Sequence, residues 1–201
     1  MRVRQLISLT VLSIALLPFA IGSAAGEPVN LPDLLQSGDT EDGWRVSLSM
    51  TQLINSVPNM AATPFTHEGF ISTRVHVTVD GDGKMPVNSG FVVVGVQLGC
   101  KVKLDEGMDL GTGNQLDVLS GDPYVNLTPS IGLDLRPGYI RTVGLGAKPL
   151  KGRTATISVR DAHVQIDGCG GQVAARLFAS VRISTDTSDD SLNVYGDLLP
   201  L

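Results

Sequence analysis

Between Cys100 and Pro149 the chain alternates apolar and polar residues over a span far longer than an ordinary strand of about five or six residues. Val102, Leu104, Met108, Leu110, Leu116 and Val118 share one parity, while Lys101, Lys103, Asp105, Asp109, Gln115 and Asp117 share the other. After a break at Ser120, Gly121, Asp122 and Pro123, Val125, Leu127, Ile131, Leu133, Leu135, Tyr139, Val143 and Leu145 alternate with Asn126, Thr128, Ser130, Asp134, Arg136 and Thr142. A period of two puts one set on each face of an extended ribbon. The break is made of residues that reverse a chain. Residues 100–149 therefore read as one long amphipathic β-hairpin with a greasy face and a charged face.

Length decides what such a hairpin can pack against. At ~3.3 Å per residue, Cys100 to Val118 would reach roughly 60 Å, or about 45 to 50 Å along a barrel axis with strands tilted ~40°. A 21.1 kDa chain has no core that tall. A single hairpin cannot close on itself, and open strand edges are not tolerated in lipid, so several copies must pool their hairpins into one barrel. The polar parity then faces a water-filled lumen, with Lys101, Lys103, Asp105, Asp109, Asn126, Thr128, Asp134 and Arg136 as lining residues. The other parity, Val102, Leu104, Leu110, Leu127, Ile131, Leu133, Leu135 and Tyr139, faces lipid. Glu106 shares that lipid-facing parity, and only Tyr124 and Tyr139 could form an aromatic girdle. Both features favour a second reading, a secreted β-sandwich binding protein whose hairpin folds back on its own core.

The remainder of the chain reads as short strands. Pro28 to Gly43 is expected to be an extended arm entering the domain near Trp44. Val46, Leu48 and Met50 alternate with Ser47 and Ser49 as a half-buried strand, and Met50 to Val57 is expected to form a short helix stopped by Pro58. Phe70 to Val79 is a strand ending in the turn Asp80 to Gly83, and the Val run in Phe91 to Leu98 predicts a strand buried on both faces. Further strands are expected at Thr154 to Val159, His163 to Ile166, Val173 to Ile183 and Leu192 to Tyr195. Many short strands with turn residues between them and no helical period predict an all-β fold. Residues 26–99 and 150–201 would form a β-sandwich rim domain, and residues 100–149 a β-hairpin insertion contributing to an oligomeric transmembrane β-barrel.

Arg2 and Arg4, the apolar run Leu6 to Ile21 and the small residues Gly22 to Ala25 have the three parts of a secretory signal, so residues 1–25 are expected to be removed. An uncleaved anchor is the alternative, but Pro18 interrupts a run shorter than the ~20 residues a spanning helix needs. In an exported chain, Cys100 and Cys169 are expected to form a disulfide, with two buried thiols as the alternative. The formal net charge of −5 argues against nucleic acid as a partner. The sequence has no G-x-S-x-G, H-E-x-x-H, Walker A or G-x-G-x-x-G motif, so no enzyme activity, cofactor or metal is expected. His67, His76 and His163 are expected to be packed or hydrogen-bonded rather than catalytic.

Several short motifs, in order, carry a family resemblance. They are Val57-Pro58 followed by Thr63 to Ser72, then Gly95 to Gly99 and Arg136-Pro137-Gly138. The C-terminal block adds Ala162-His163, Gly170-Gly171, Arg176 to Ala179, Ser184-Thr185 and Val194-Tyr195-Gly196. Through them the chain resembles the MspA-like mycobacterial porins. The resemblance implies a goblet-shaped homo-octamer in which each subunit gives a sandwich to the rim and one hairpin to a shared sixteen-stranded barrel. It also implies passive passage of ions and small hydrophilic solutes across the mycolic-acid outer membrane of an actinobacterium, with the membrane's lipids around the stem. In that family the foot of the hairpin carries a ring of aspartates that sets the constriction. By position, Asp122 matches it, with Asp117 and Ser120 beside it, so a less negative constriction is expected here.

Overall fold

The computed structural model describes residues 29–103, 130–134 and 140–201. These residues form strands and no helix: β1 (Val29–Asp39), β2 (Arg45–Val57), β3 (His67–Asp80), β4 (Ser89–Lys103), β5 (Ser130–Asp134), β6 (Ile140–Pro149), β7 (Thr154–Asp167), β8 (Cys169–Ser184), β9 (Asp189–Tyr195) and β10 (Leu199–Pro200). They build two sheets, one in the order β1-β2-β3-β7-β5 and the other in the order β10-β8-β4-β6, with β9 also on β8. All pairings are antiparallel except β5 on β7, which is parallel. The all-β class read from the sequence is what the structure has.

The alternation in sequence becomes the core. Val46, Leu48, Met50 and Ile54 of β2 face Val92, Val94, Val96 and Leu98 of β4 and Leu177 and Val181 of β8 across the sandwich, all buried. On the far face of β4, Val93 is also buried, and a Cβ at Gly95 would come within 2.6 Å of the Phe178 ring. That second apolar layer, with Tyr195 stacked on Phe178 at 6.3 Å, explains the unbroken Val run.

Three local expectations are corrected. The stretch before Trp44 is not a free arm, because Val29–Asp39 is an edge strand in register with β2 from Val29 opposite Ile54 to Asp39 opposite Arg45. Met50 to Val57 is strand, not helix: it continues β2, with Ile54 opposite Ile71 and Val57 opposite Glu68. The two strands expected at Thr154 to Val159 and His163 to Ile166 are one strand, β7, carrying a register shift opposite Ile71 and Thr73. Asp161, at φ 49°, occupies that irregularity, and Ser72 Oγ accepts a hydrogen bond from its amide at 2.8 Å.

Candidate functional site: the root of the insertion

The site that the fold prepares is the end of the sandwich from which the long insertion departs. β4 pairs with β6 down to Gly99 opposite Ile140, and β4 continues beyond that point against β8 as far as Lys103 opposite Cys169. The segment between Lys103 and Ile140 therefore begins and ends on adjacent antiparallel strands. Both ends of the insertion therefore lie side by side at the same end of one sheet.

That end is braced from several directions. Cys100 and Cys169 form a disulfide, as the sequence predicted, tying β4 to the first residue of β8. The His67 ring lies between two backbone oxygens, with Nδ1 3.2 Å from Leu201 O and Nε2 3.3 Å from Cys169 O. Thr66 donates to the Asp167 carboxylate at 2.8 Å, and the Cys169 amide donates to Phe65 O at 3.0 Å. The Leu201 amide closes the C-terminus onto Val173 O at 2.9 Å. Two strand ends, a loop and the C-terminus are thus pinned around the end of β4.

The strongest polar pair here joins residues far apart in sequence. The Glu68 carboxylate meets His163 Nε2 at 2.6 Å, with side-chain exposures of 12% and 24%, and its other oxygen accepts from the Met60 amide at 2.8 Å. The Met60 amide first, and His163 second, hold the Glu68 carboxyl below its ordinary pKa, because both stabilise its charged form. Phe70 covers the imidazole with ring centroids 5.1 Å apart. No motif in the sequence marks this pair, since only the register of β3 on β7 brings the two together.

The predicted site residues divide by place. Lys101 is exposed on β4. Val102 lies opposite Gly170 and Lys103 opposite Cys169, so the ladder of the sandwich extends into the start of the expected stem. At the other end of the 100–149 segment, β6 belongs to the second sheet, and Val143 and Leu145 are buried in the core. Ile131, Leu133 and Asp134 lie on β5, which runs along β7 beside Val164, Ile166 and Asp167. Leu104, Asp105, Asp109, Leu110, Asp117, Ser120, Asp122, Asn126, Leu127, Thr128, Leu135, Arg136 and Tyr139 lie outside the described residues, as does the 1–25 leader.

The polar groups at the root bond strand ends to one another. His76 Nδ1 sits 2.8 Å from Thr156 Oγ1, so each of the three histidines has a hydrogen-bond partner. Among the described residues no group of three His, Cys, Asp or Glu side chains is placed to hold a metal ion. Among the same residues no helix is long and apolar enough to cross a membrane, which has no bearing on crossing by strands.

A two-sheet sandwich in which the neighbouring antiparallel strands β4 and β6 bracket a long insertion at one braced end defines a class of all-β protein. The MspA family model matches residues 42–199, and the chain belongs to that family. Members of the family are porins. No curated protein matches the chain.

Proposed function

We propose that this protein is the subunit of an outer-membrane porin, in which several copies pool their insertions into one β-barrel carrying ions and small hydrophilic solutes by passive diffusion. The observation that carries the reading is the departure of both arms as neighbouring antiparallel strands at Gly99 and Ile140. Family membership and the alternation of residues 104–139 support it. The lumen would be lined by Asp105, Asp109, Asn126, Thr128, Asp134 and Arg136, with Asp122, Asp117 and Ser120 at the constriction. A ring of Asp122 carboxylates raises the local concentration of cations, and the mixed signs above it temper that preference. The family points to a homo-octamer in the outer membrane of a mycolic-acid bacterium, reached by export through the 1–25 leader.

One observation favours a second reading, a secreted oligomeric β-sandwich binding protein without channel activity. β5 lies on the edge of its own subunit's sheet, with Ser130 to Asp134 alongside His163 to Asp167. In the porin reading this five-residue ladder is the subunit's resting arrangement, exchanged for pairing in the barrel when copies assemble. Detergent extraction followed by planar-bilayer recording separates the two. A porin gives heat-resistant oligomers on a gel and discrete current steps, and a stable, detergent-independent monomer or an oligomer that never conducts overturns the proposal.

A further inference from the structure

The loop between β2 and β3, residues 58–66, differs from the connections at the far end of the sandwich. It runs from Pro58 to Thr66 without one charged residue. At the far end the β1–β2 connection carries Glu41 and Asp42, β3–β4 carries Asp82 and Lys84, β6–β7 carries Lys151 and Arg153, and β8–β9 carries Asp186. Charged turns suit an end that faces water. The uncharged loop lies at the root, where Phe65 O accepts from the amide of Cys169, the disulfide partner of Cys100 on β4.

Its apolar side chains are uncovered. Met60 is 92% exposed and Phe65 47%, and Ala61, Ala62 and Pro64 between them are exposed as well. A soluble turn of this length would normally show polar side chains to water.

The polar backbone is arranged the opposite way, turned in on the subunit. Asn59 Nδ2 donates to Thr63 O at 2.9 Å and to Thr66 O at 2.8 Å, while Asn59 Oδ1 accepts from the Thr63 amide at 3.1 Å. The Ala62 amide donates to Asn59 O at 3.1 Å, the Phe65 amide to Thr63 Oγ1 at 3.0 Å, and the Met60 amide to the Glu68 carboxylate at 2.8 Å. Pro58 and Pro64 have no N–H to satisfy. One polar side chain thus organises the loop from inside, and the apolar ones are left outside. Such a surface gains from a low-dielectric neighbour, because these peptide groups keep their partners when water leaves and each apolar side chain is stabilised by leaving it.

We propose that residues 58–66 are an interfacial lipid anchor, in which Met60 and Phe65 of each subunit enter the membrane surface around the barrel. The inference rests on the porin reading for the position of the membrane: there the insertion crosses lipid from the root end, so the lipid surface faces this loop. Side chains placed in that way reach ~5 to 10 Å into the boundary between headgroups and acyl chains. Thr66 donates to Asp167 and Phe65 O accepts from Cys169, so the anchor is tied to the ends of β7 and β8. It therefore fixes the height of the sandwich above the lipid.

The test uses the full chain reconstituted into phosphatidylcholine vesicles, with and without lipids brominated high on the acyl chain. Trp44, the only tryptophan, lies at the far end and serves as the reference. Met60→Trp is expected to add a blue-shifted emission that the brominated lipids quench by ~twofold or more, while the wild-type emission is untouched. Met60→Asp with Phe65→Asp is expected to lower channel insertion into planar bilayers by ~tenfold or more, because carboxylates resist leaving water. Met85→Asp, the same kind of change at the far end, is expected to leave insertion unchanged. Thiol titration and far-ultraviolet circular dichroism confirm that each variant is folded. A Met60→Trp emission that aqueous iodide quenches in vesicles as fully as in the free chain overturns the anchor, and so does normal insertion of the double aspartate variant. A blue-shifted emission that brominated lipid does not quench overturns it too, because a second copy then covers the loop. Conducting channels with any of these results keep the porin reading and lose the anchor. Vesicle-bound chain with a lipid-quenched Met60→Trp emission and no current does the reverse, and a chain that never associates with vesicles overturns both.

Discussion

Cys100 and Cys169 are disulfide-bonded with their Cα atoms 5.8 Å apart, and the bond ties β4 to β8 just where β4 runs out of sandwich and the insertion begins. A covalent tie at this level restrains the last pairs of the β4/β8 ladder, Val102 with Gly170 and Lys103 with Cys169.

The first prediction concerns that tie. The two cysteines are separated by 69 residues, and a loop of that size removes enough freedom from the unfolded chain to be worth ~4 kcal/mol in the chain-entropy account. Cys100→Ser with Cys169→Ser should lower unfolding free energy by roughly that amount, measured by urea titration of the oxidised wild type beside the variant. A loss under about 1 kcal/mol would mean that the hydrogen bonds of His67 and Thr66 hold the root without the covalent bond.

Acid should loosen the same end through Glu68. Its carboxyl is held below its ordinary pKa by the Met60 amide and by His163, so its charged form is bound more tightly in the folded state than in the unfolded state. The resulting stabilisation is fully present above the unfolded value, ~4.3, and disappears as pH falls through the lower folded value. Glu68→Gln should therefore destabilise the protein at neutral pH and flatten the acid limb of its stability profile. Thermal melts at a series of pH values check this, and a variant whose melting temperature falls with acid as steeply as the wild type would rule Glu68 out. Asp39 and Asp189 are also held low, chiefly by hydrogen bonds from Arg45 and Ser184 respectively, and act in the same direction.

At the opposite end of the sandwich, Gly83 lies against the only tryptophan in the chain. A Cβ added to Gly83 would sit 2.1 Å from Trp44 Nε1, the atom that donates to Met85 O at 2.7 Å. Arg153 stacks over the same ring, 5.0 Å from its centroid. Gly83→Ala should push the indole outward, break that hydrogen bond and cost ~1 to 3 kcal/mol. Because Trp44 is unique, its fluorescence reports the displacement directly as a red-shifted emission. Unshifted emission would show that the loop moves and the ring does not.

How much of this was legible in the sequence followed the physics of burial. β3 and the first half of β2 alternate cleanly because one face is core and the other is wet, and the Val run of β4 is apolar on both faces because both are covered. The second half of β2 misled because one of its core-facing residues is Gln52, 3% exposed and donating to Pro32 O, while the outward position next to it is Leu53. β1 gave no period because it is an edge strand, exposed along most of its length, with Pro32 in it. The bonded pairs of the root were beyond reach for another reason. Glu68 and His163 come from strands brought together only by sheet order.

The constriction yields the last prediction. In the proposed pore Asp122 would occupy the reversal of the insertion, and in a ring of identical subunits each carboxylate would be repeated once per copy, so one substitution would change the charge of the pore by the number of subunits. Asp122→Asn keeps the size and hydrogen-bonding capacity of the side chain and removes only its charge. In a salt gradient the reversal potential should shift toward zero or toward anions, with single-channel conductance reduced most at low salt, where fixed charge is least screened. Asp117→Asn, one step up the arm, should act in the same direction but more weakly, because a wider ring exerts a weaker field at its axis. Reversal potentials that stay unchanged in Asp122→Asn while moving in Asp105→Asn or Asp109→Asn would relocate the narrowest charged ring from the foot of the hairpin to its upper part.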